Sequence, residues 1–117
     1  MVMITRAGIQ NERWRRLLSQ EHPVSPLYAR LYVTRGVHHH PRGYEALRWL
    51  LTCPTQTDDG INPWGDCDML KVVLDGDTFY LKVDCYARSW GPNEASEDPA
   101  NDEMTTRVYT CMLAGEY

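Results

Sequence analysis

The feature that most constrains this chain is the dipeptide Asp75-Gly76, a strong two-residue hairpin turn set between two β-rich runs. If Leu74 opposes Asp77, then Val72 opposes Phe79 and Leu70 opposes Leu81. That register collects Leu70, Val72, Leu74, Phe79, Leu81, Val83 and Cys85 on one face. The other face carries Lys71, Tyr80, Lys82, Asp84 and Tyr86. A β-hairpin over residues 69–86 with one apolar face is therefore predicted.

The flanking segments are read by period and punctuation. Residues 10–20 suit a helix, with Trp14, Leu17 and Leu18 on one face and Arg13, Arg15 and Arg16 beside or opposite it. Pro23 and Pro26 end it, since proline has no amide hydrogen to continue the ladder. Residues 31–34 read as a strand closed by Gly36. Pro41 suits the first turn of a second helix, with Tyr44, Leu47, Leu50 and Leu51 as its apolar face and Pro54 as its stop. Residues 54–66 are a polar loop of turn formers.

After the hairpin, residues 89–101 form an acidic loop containing Gly91, Pro92, Glu94, Glu97, Asp98 and Pro99. A last helix is predicted from about Asp102, with Met104, Val108, Cys111 and Met112 as its stripe and its acids at the positive end of the helix dipole. The expected order is α-β-α-β-β-α. This is an α+β fold, a small antiparallel sheet of about three strands with helices packed on one face.

At 117 residues a single domain, 1–117, is the default, and its core needs neither disulfide nor metal. A separate cofactor domain is excluded. No run approaches the roughly 20 apolar residues of a membrane span, and the start lacks the apolar core of a secretory signal. These features predict a cytoplasmic protein whose four cysteines stay reduced.

The formal charge of −4 conceals a division. Residues 1–57 hold eight arginines and three acids, whereas residues 58–117 hold four basic residues and thirteen acids. The halves either neutralise each other or leave an acidic surface for a charged partner.

Several ordered motifs carry a family resemblance. Asn62-Pro63-Trp64-Gly65-Asp66-Cys67-Asp68 leads to Asp75-Gly76 and then to Lys82-Val83-Asp84-Cys85-Tyr86. Ser96-Glu97-Asp98-Pro99-Ala100, Thr105-Thr106-Arg107-Val108 and Met112-Leu113-Ala114-Gly115-Glu116-Tyr117 follow. Together these resemble the bacterial domain-of-unknown-function family 3768, small proteins often encoded on plasmids and other mobile elements. The resemblance is good over residues 58–117 and looser over 11–37. It implies no established activity. Cys67 stands where the family tends to have His, Cys85 where it tends to have a second Tyr, and Ala87 where it tends to have Asp.

Four constellations are candidates for chemistry. Asp66, Asp68 and Asp84 form an acidic group in which Asp68 and Asp84 should lie near each other across the open end of the hairpin. There they would bind a divalent cation, share a proton, or merely cap loops and pair with Lys82, Arg88 or Arg107. His38, His39 and His40 diverge on an extended chain, and the cysteines lack Cys-x-x-Cys spacing, so no metal site is assigned. Cys85 and Cys111 fall on core faces. Cys67, flanked by acids, should have its thiolate disfavoured. Arg13, Arg15 and Arg16 with Trp14 could grip phosphate, though the acidic half opposes nucleic acid.

Four Trp and seven Tyr against one Phe favour a binding surface, because both rings keep a polar atom. The expectation is thus a non-enzymatic protein-binding module of a phage or other mobile element, an inhibitor of a host defence protein resembling anti-CRISPR proteins. Asp58, Asp59, Asp66, Asp68, Glu94, Glu97, Asp98, Asp102 and Glu103 would meet a basic groove, with Trp64, Tyr86 and Trp90 as anchors. Reversing Glu97, Asp98 and Asp102 to Lys should then weaken binding and spare the fold. The expected partner is a host or phage protein, nucleic-acid-binding proteins among the candidates, and no cofactor is implied. The alternatives are a small metal-dependent hydrolase on the acidic trio and an Arg-rich nucleic-acid-binding regulator.

Overall fold

In a computed structural model, residues 3–20, 23–57, 60–88 and 94–117 are described. The order is α1 (Arg6–Leu18), β1 (Ala29–Val33), α2 (Arg35–His39), α3 (Gly43–Thr52), β2 (Met69–Leu74), β3 (Asp77–Ala87) and β4 (Thr105–Leu113). The strands form one four-stranded sheet in the order β1-β4-β3-β2, and the helices cover one face of it.

The hairpin has the register that the sequence dictates, with Leu74 opposite Asp77, Val72 opposite Phe79 and Leu70 opposite Leu81. Asp75 and Gly76 both take positive φ, 51° and 81°, as a hairpin of this twist requires. Leu70, Phe79, Leu81 and Val83 are buried, while Lys71 and Tyr80 lie on the opposite, more open face.

The last helix is not formed. Asp102–Met104 is a single 3₁₀ turn, and Thr105–Leu113 is a strand paired on both sides. Thr105, Arg107, Tyr109 and Cys111 are buried at every second position, which is a strand period. Three threonines, a valine and a tyrosine in nine residues also favour extended backbone. The sheet is accordingly mixed rather than antiparallel, because β1 runs parallel to β4.

The predicted second helix is α3, and a short helix that was not predicted, α2, precedes it. His40 precedes Pro41, whose ring drives the preceding residue from helical backbone, and His40 is extended at φ −77°, ψ 137°. Gly36, expected to close the strand, lies inside α2. The first helix begins earlier than predicted because Thr5 caps it, its hydroxyl accepting the Gly8 N–H at 3.0 Å.

The buried stripe of α1 is Gly8, Asn11, Glu12 and Arg15, a helical spacing built from polar residues. Arg15, placed by hydropathy away from the apolar face, has no exposed surface. Trp14 and Leu18 pack at the edge of the core instead. The core itself joins Val37, Ala46 and Leu50 from the helices to Leu70, Phe79, Leu81, Tyr109 and Cys111 from the sheet.

Candidate functional site

Two buried guanidinium groups organise the helix–sheet interface. Arg15 forks onto Glu12, with its Nε and Nη2 2.8 and 2.6 Å from the two carboxylate oxygens. It also donates to the carbonyls of Leu50 and Cys53, both at 2.8 Å. Those carbonyls belong to the end of α3, where no further turn supplies a donor. Arg15 thus joins two helices and is not a phosphate-gripping side chain.

Arg107 is equally buried on the inner face of β4. Its Nε donates to Asn11 Oδ1 at 2.9 Å and its Nη1 to Asp102 Oδ1 at 3.0 Å, and Nη2 reaches the Pro99 carbonyl. Asn11 in turn donates to the Asp66 carbonyl at 2.8 Å and accepts from the Cys85 thiol, while its own carbonyl accepts the Tyr109 hydroxyl. This chain of bonds fixes the loops around residues 62–68 and 96–102 against α1.

Between those loops, the edge of β3 is open. Its ladder with the β2 side ends where Asp68 O accepts Val83 N–H at 2.8 Å. Pairing resumes with residues 94–96, where Ser96 N–H donates to Cys85 O at 3.0 Å and Ala95 bridges Tyr86. The interruption at Asp84 leaves a cleft of about 430 Å³ lined by Asn11, Asp66, Asp68, Asp84, Cys85 and Pro99.

The acidic trio expected at the open end of the hairpin does share this cleft. Asp68 is exposed as a whole residue, yet loss of solvent around its carboxyl, then the charges of Asp66 and Asp84, raise its pKa. Asp66 accepts the Thr5 hydroxyl at 2.6 Å, and Asp84 lies 3.4 Å from Lys82 Nζ. Among the described residues, no three His, Cys, Asp or Glu side chains are grouped closely enough to hold a metal ion.

Cys85 forms part of the cleft wall, and burial pushes its thiol up to about 11. Cys67 is also raised, chiefly by burial and then by Glu12, with Asp66 a smaller cause. Cys53 is buried and raised for the same leading reason, and burial pushes Cys111 up to about 12. No such thiol is an activated nucleophile.

The predicted partner-binding acids divide in two. Asp102 is structural, held by buried Arg107 and 3.7 Å from Arg13, so its reversal to Lys would not spare the fold. Glu103 accepts the Tyr28 hydroxyl at 2.9 Å and faces Arg88 at 3.5 Å. Glu94, Glu97 and Asp98 are exposed, and no ion pair engages them among the described residues. Glu94, Glu97 and Glu103 border a second hollow of about 430 Å³ beside Ala87 and Arg88. Trp64 is 80% exposed, whereas Tyr86 is half-buried on the open sheet face. Asp58, Asp59 and Trp90 lie outside the described residues.

The basic half meets the acidic half at a few points. Arg42 pairs with Asp75 at 3.0 Å and His40 with Asp77 at 2.7 Å, tying the helices to the hairpin turn. His38 faces Tyr44, so neighbouring histidines turn to different partners. Asn11 and Arg107, which hold the cleft together, were not singled out as functional by composition or charge. The signal available for them was position: Arg107 sits within Thr105-Thr106-Arg107-Val108, and Asn11 lies at the helical spacing of Gly8 and Arg15.

No curated protein and no solved structure matches the chain. A family model described as a protein of unknown function, DUF3768, matches residues 33–116, well over half of the chain. The match spans the loop of residues 62–68, the hairpin, the cleft residues Asp66, Asp68, Asp84, Cys85 and Pro99 but not Asn11, and the whole of β4. The chain belongs to the DUF3768 family.

Proposed function

We propose that this protein is a non-enzymatic binding module that covers a basic surface of another protein with an acidic, aromatic-bearing surface of its own. The observation that carries the reading is the division among its acids. Asp75, Asp84 and Asp102 are engaged in internal ion pairs, and Asp77 is hydrogen-bonded to His40. Asp68, Glu94, Glu97 and Asp98 are exposed, without ion pairs among the described residues, on the two loops that flank the open edge of β3. Unpaired surface charge of one sign steers association with a partner of the other sign and selects against the wrong one.

A groove that ordinarily carries nucleic acid is the basic surface such a module suits. Small acidic inhibitors of host defence, anti-CRISPR proteins among them, act in this way. Size and acidity support that assignment by analogy. Arg15 is spent inside the fold, which leaves the phosphate-binding alternative without the middle residue of its triplet.

The test is retention of host proteins on the immobilised chain, followed by calorimetry of the retained partner. The Glu94→Lys/Glu97→Lys/Asp98→Lys variant should fold normally and bind about tenfold or more weakly, with reduced salt dependence. Unchanged affinity, or no retained protein, overturns the reading.

A further inference from the structure

We propose that the groove between Trp64, Tyr80 and Tyr117, on the open face of the sheet, holds an arginine side chain of a protein partner, with Asp68 as its counter-charge. The proposal names the anchor of the acidic surface described above and rests on that reading.

The groove has a volume of about 420 Å³ and is floored by the outward residues of β3. The Tyr80 and Tyr117 rings meet edge to face with centroids 6.2 Å apart. One cation is already drawn to these rings, since Lys82 Nζ lies 5.7 Å from the Tyr117 centroid. Aromatic faces attract cations through their quadrupole. Lys82 is itself matched by Asp84 at 3.4 Å, so Asp68 faces the groove without a partner charge among the described residues. Its pKa is raised first by lost solvent and then by the charges of Asp66 and Asp84, which nearby Lys82 opposes, and an incoming cation offsets that crowding of like charges.

Trp64 is carried by a turn whose backbone is held in place. The turn that carries it is fixed by positive φ at Gly65 and Cys67, 75° and 52°. Gly65 O accepts the Thr5 N–H at 3.0 Å, and Asn62 Oδ1 accepts the Cys67 N–H at 3.0 Å. The backbone that presents Trp64, 80% exposed and beside unpaired carboxylate, is thus set before binding. Arginine fits better than lysine because its planar guanidinium stacks on an indole while its edge forks onto carboxylate, and it is more weakly hydrated.

The probe is N-acetyl-arginine amide, titrated into the labelled full chain by NMR, with the neutral isostere N-acetyl-citrulline amide and N-acetyl-lysine amide as comparisons. Saturable shifts are expected at the Trp64 indole N–H and the Lys82 and Val83 amides, with a millimolar dissociation constant. The citrulline compound should give none, and the lysine compound should bind more weakly. Trp64→Ala and Asp68→Asn, whose side chains lie outside the core, should each weaken binding about tenfold while the hairpin amides keep their positions. Shifts that do not saturate, equal response to citrulline or lysine, or unaffected variants overturn the proposal. Failure of the acidic-surface reading is separately visible, because reversal of Glu94, Glu97 and Asp98 leaves this groove intact.

Discussion

Replacing Arg107 with methionine removes a guanidinium that has no exposed surface and three oxygen partners. Methionine fills much of the volume of the arginine stem, so the change isolates the polar contribution. It leaves the Asn11 side-chain oxygen only the weak Cys85 thiol donor and strands the Pro99 carbonyl and the Asp102 carboxylate, which is 17% exposed. Removing one partner of a buried ion pair costs about 3–5 kcal/mol. Asp102 keeps some water and a distant Arg13 at 3.7 Å, which favours the lower end, about 3 kcal/mol. Against a total stability of about 5–15 kcal/mol, that is a large fraction. For a domain of this size it lowers Tm by roughly 12 °C. Urea unfolding followed by tryptophan fluorescence measures it directly, with Arg107→Lys intermediate because it keeps the charge and loses the fork. A loss below about 1 kcal/mol for Arg107→Met would refute the view that this arginine clamps the cleft loops to α1.

Gly76→Ala tests the hairpin turn: no atom lies within 4 Å of the added Cβ, so the expected loss of about 1 kcal/mol comes wholly from its φ of 81°, and an unchanged midpoint would refute it. Glu116 accepts the Thr34 hydroxyl at 2.6 Å and the Gly36 N–H at 3.0 Å, which caps α2 and holds its carboxyl below the usual value of 4.5. A depressed carboxylate contributes stability above its unfolded pKa and loses it as pH falls through the folded one. Glu116→Gln should therefore lower Tm at about pH 7 and converge with the parent at about pH 3, whereas an equal difference at both would refute the charge as the cause.

How much of this was legible differs by element. The hairpin could be read down to its register because a turn dipeptide and an apolar alternation agreed. β4 was misread because Arg107 interrupts the apolar alternation on its inner face, leaving Met104, Val108, Cys111 and Met112 to imitate a helical stripe. Its threonines and tyrosine carried the contrary signal. In α1 the error has the same physical root: Asn11, Glu12 and Arg15 occupy buried positions at helical spacing, and hydropathy assigns such residues to water. Polar groups that satisfy one another inside a fold are invisible to patterns that count only apolar residues. The approach of Asp68 and Asp84 was legible because it follows from the hairpin register. Which acids are spent internally was not, since Asp102 meets Arg107 and Asp75 meets Arg42 only once the tertiary fold is known.

The central claim is that the unpaired acids beside the open edge of β3 are the binding surface. Its most direct test is the dissociation constant of the retained partner for the parent chain and for Glu94→Lys/Glu97→Lys/Asp98→Lys, measured at low and at high salt. The account predicts a weakening of about tenfold or more at low salt that narrows as salt screens the charges. Equal affinities for the two chains at low salt would contradict it.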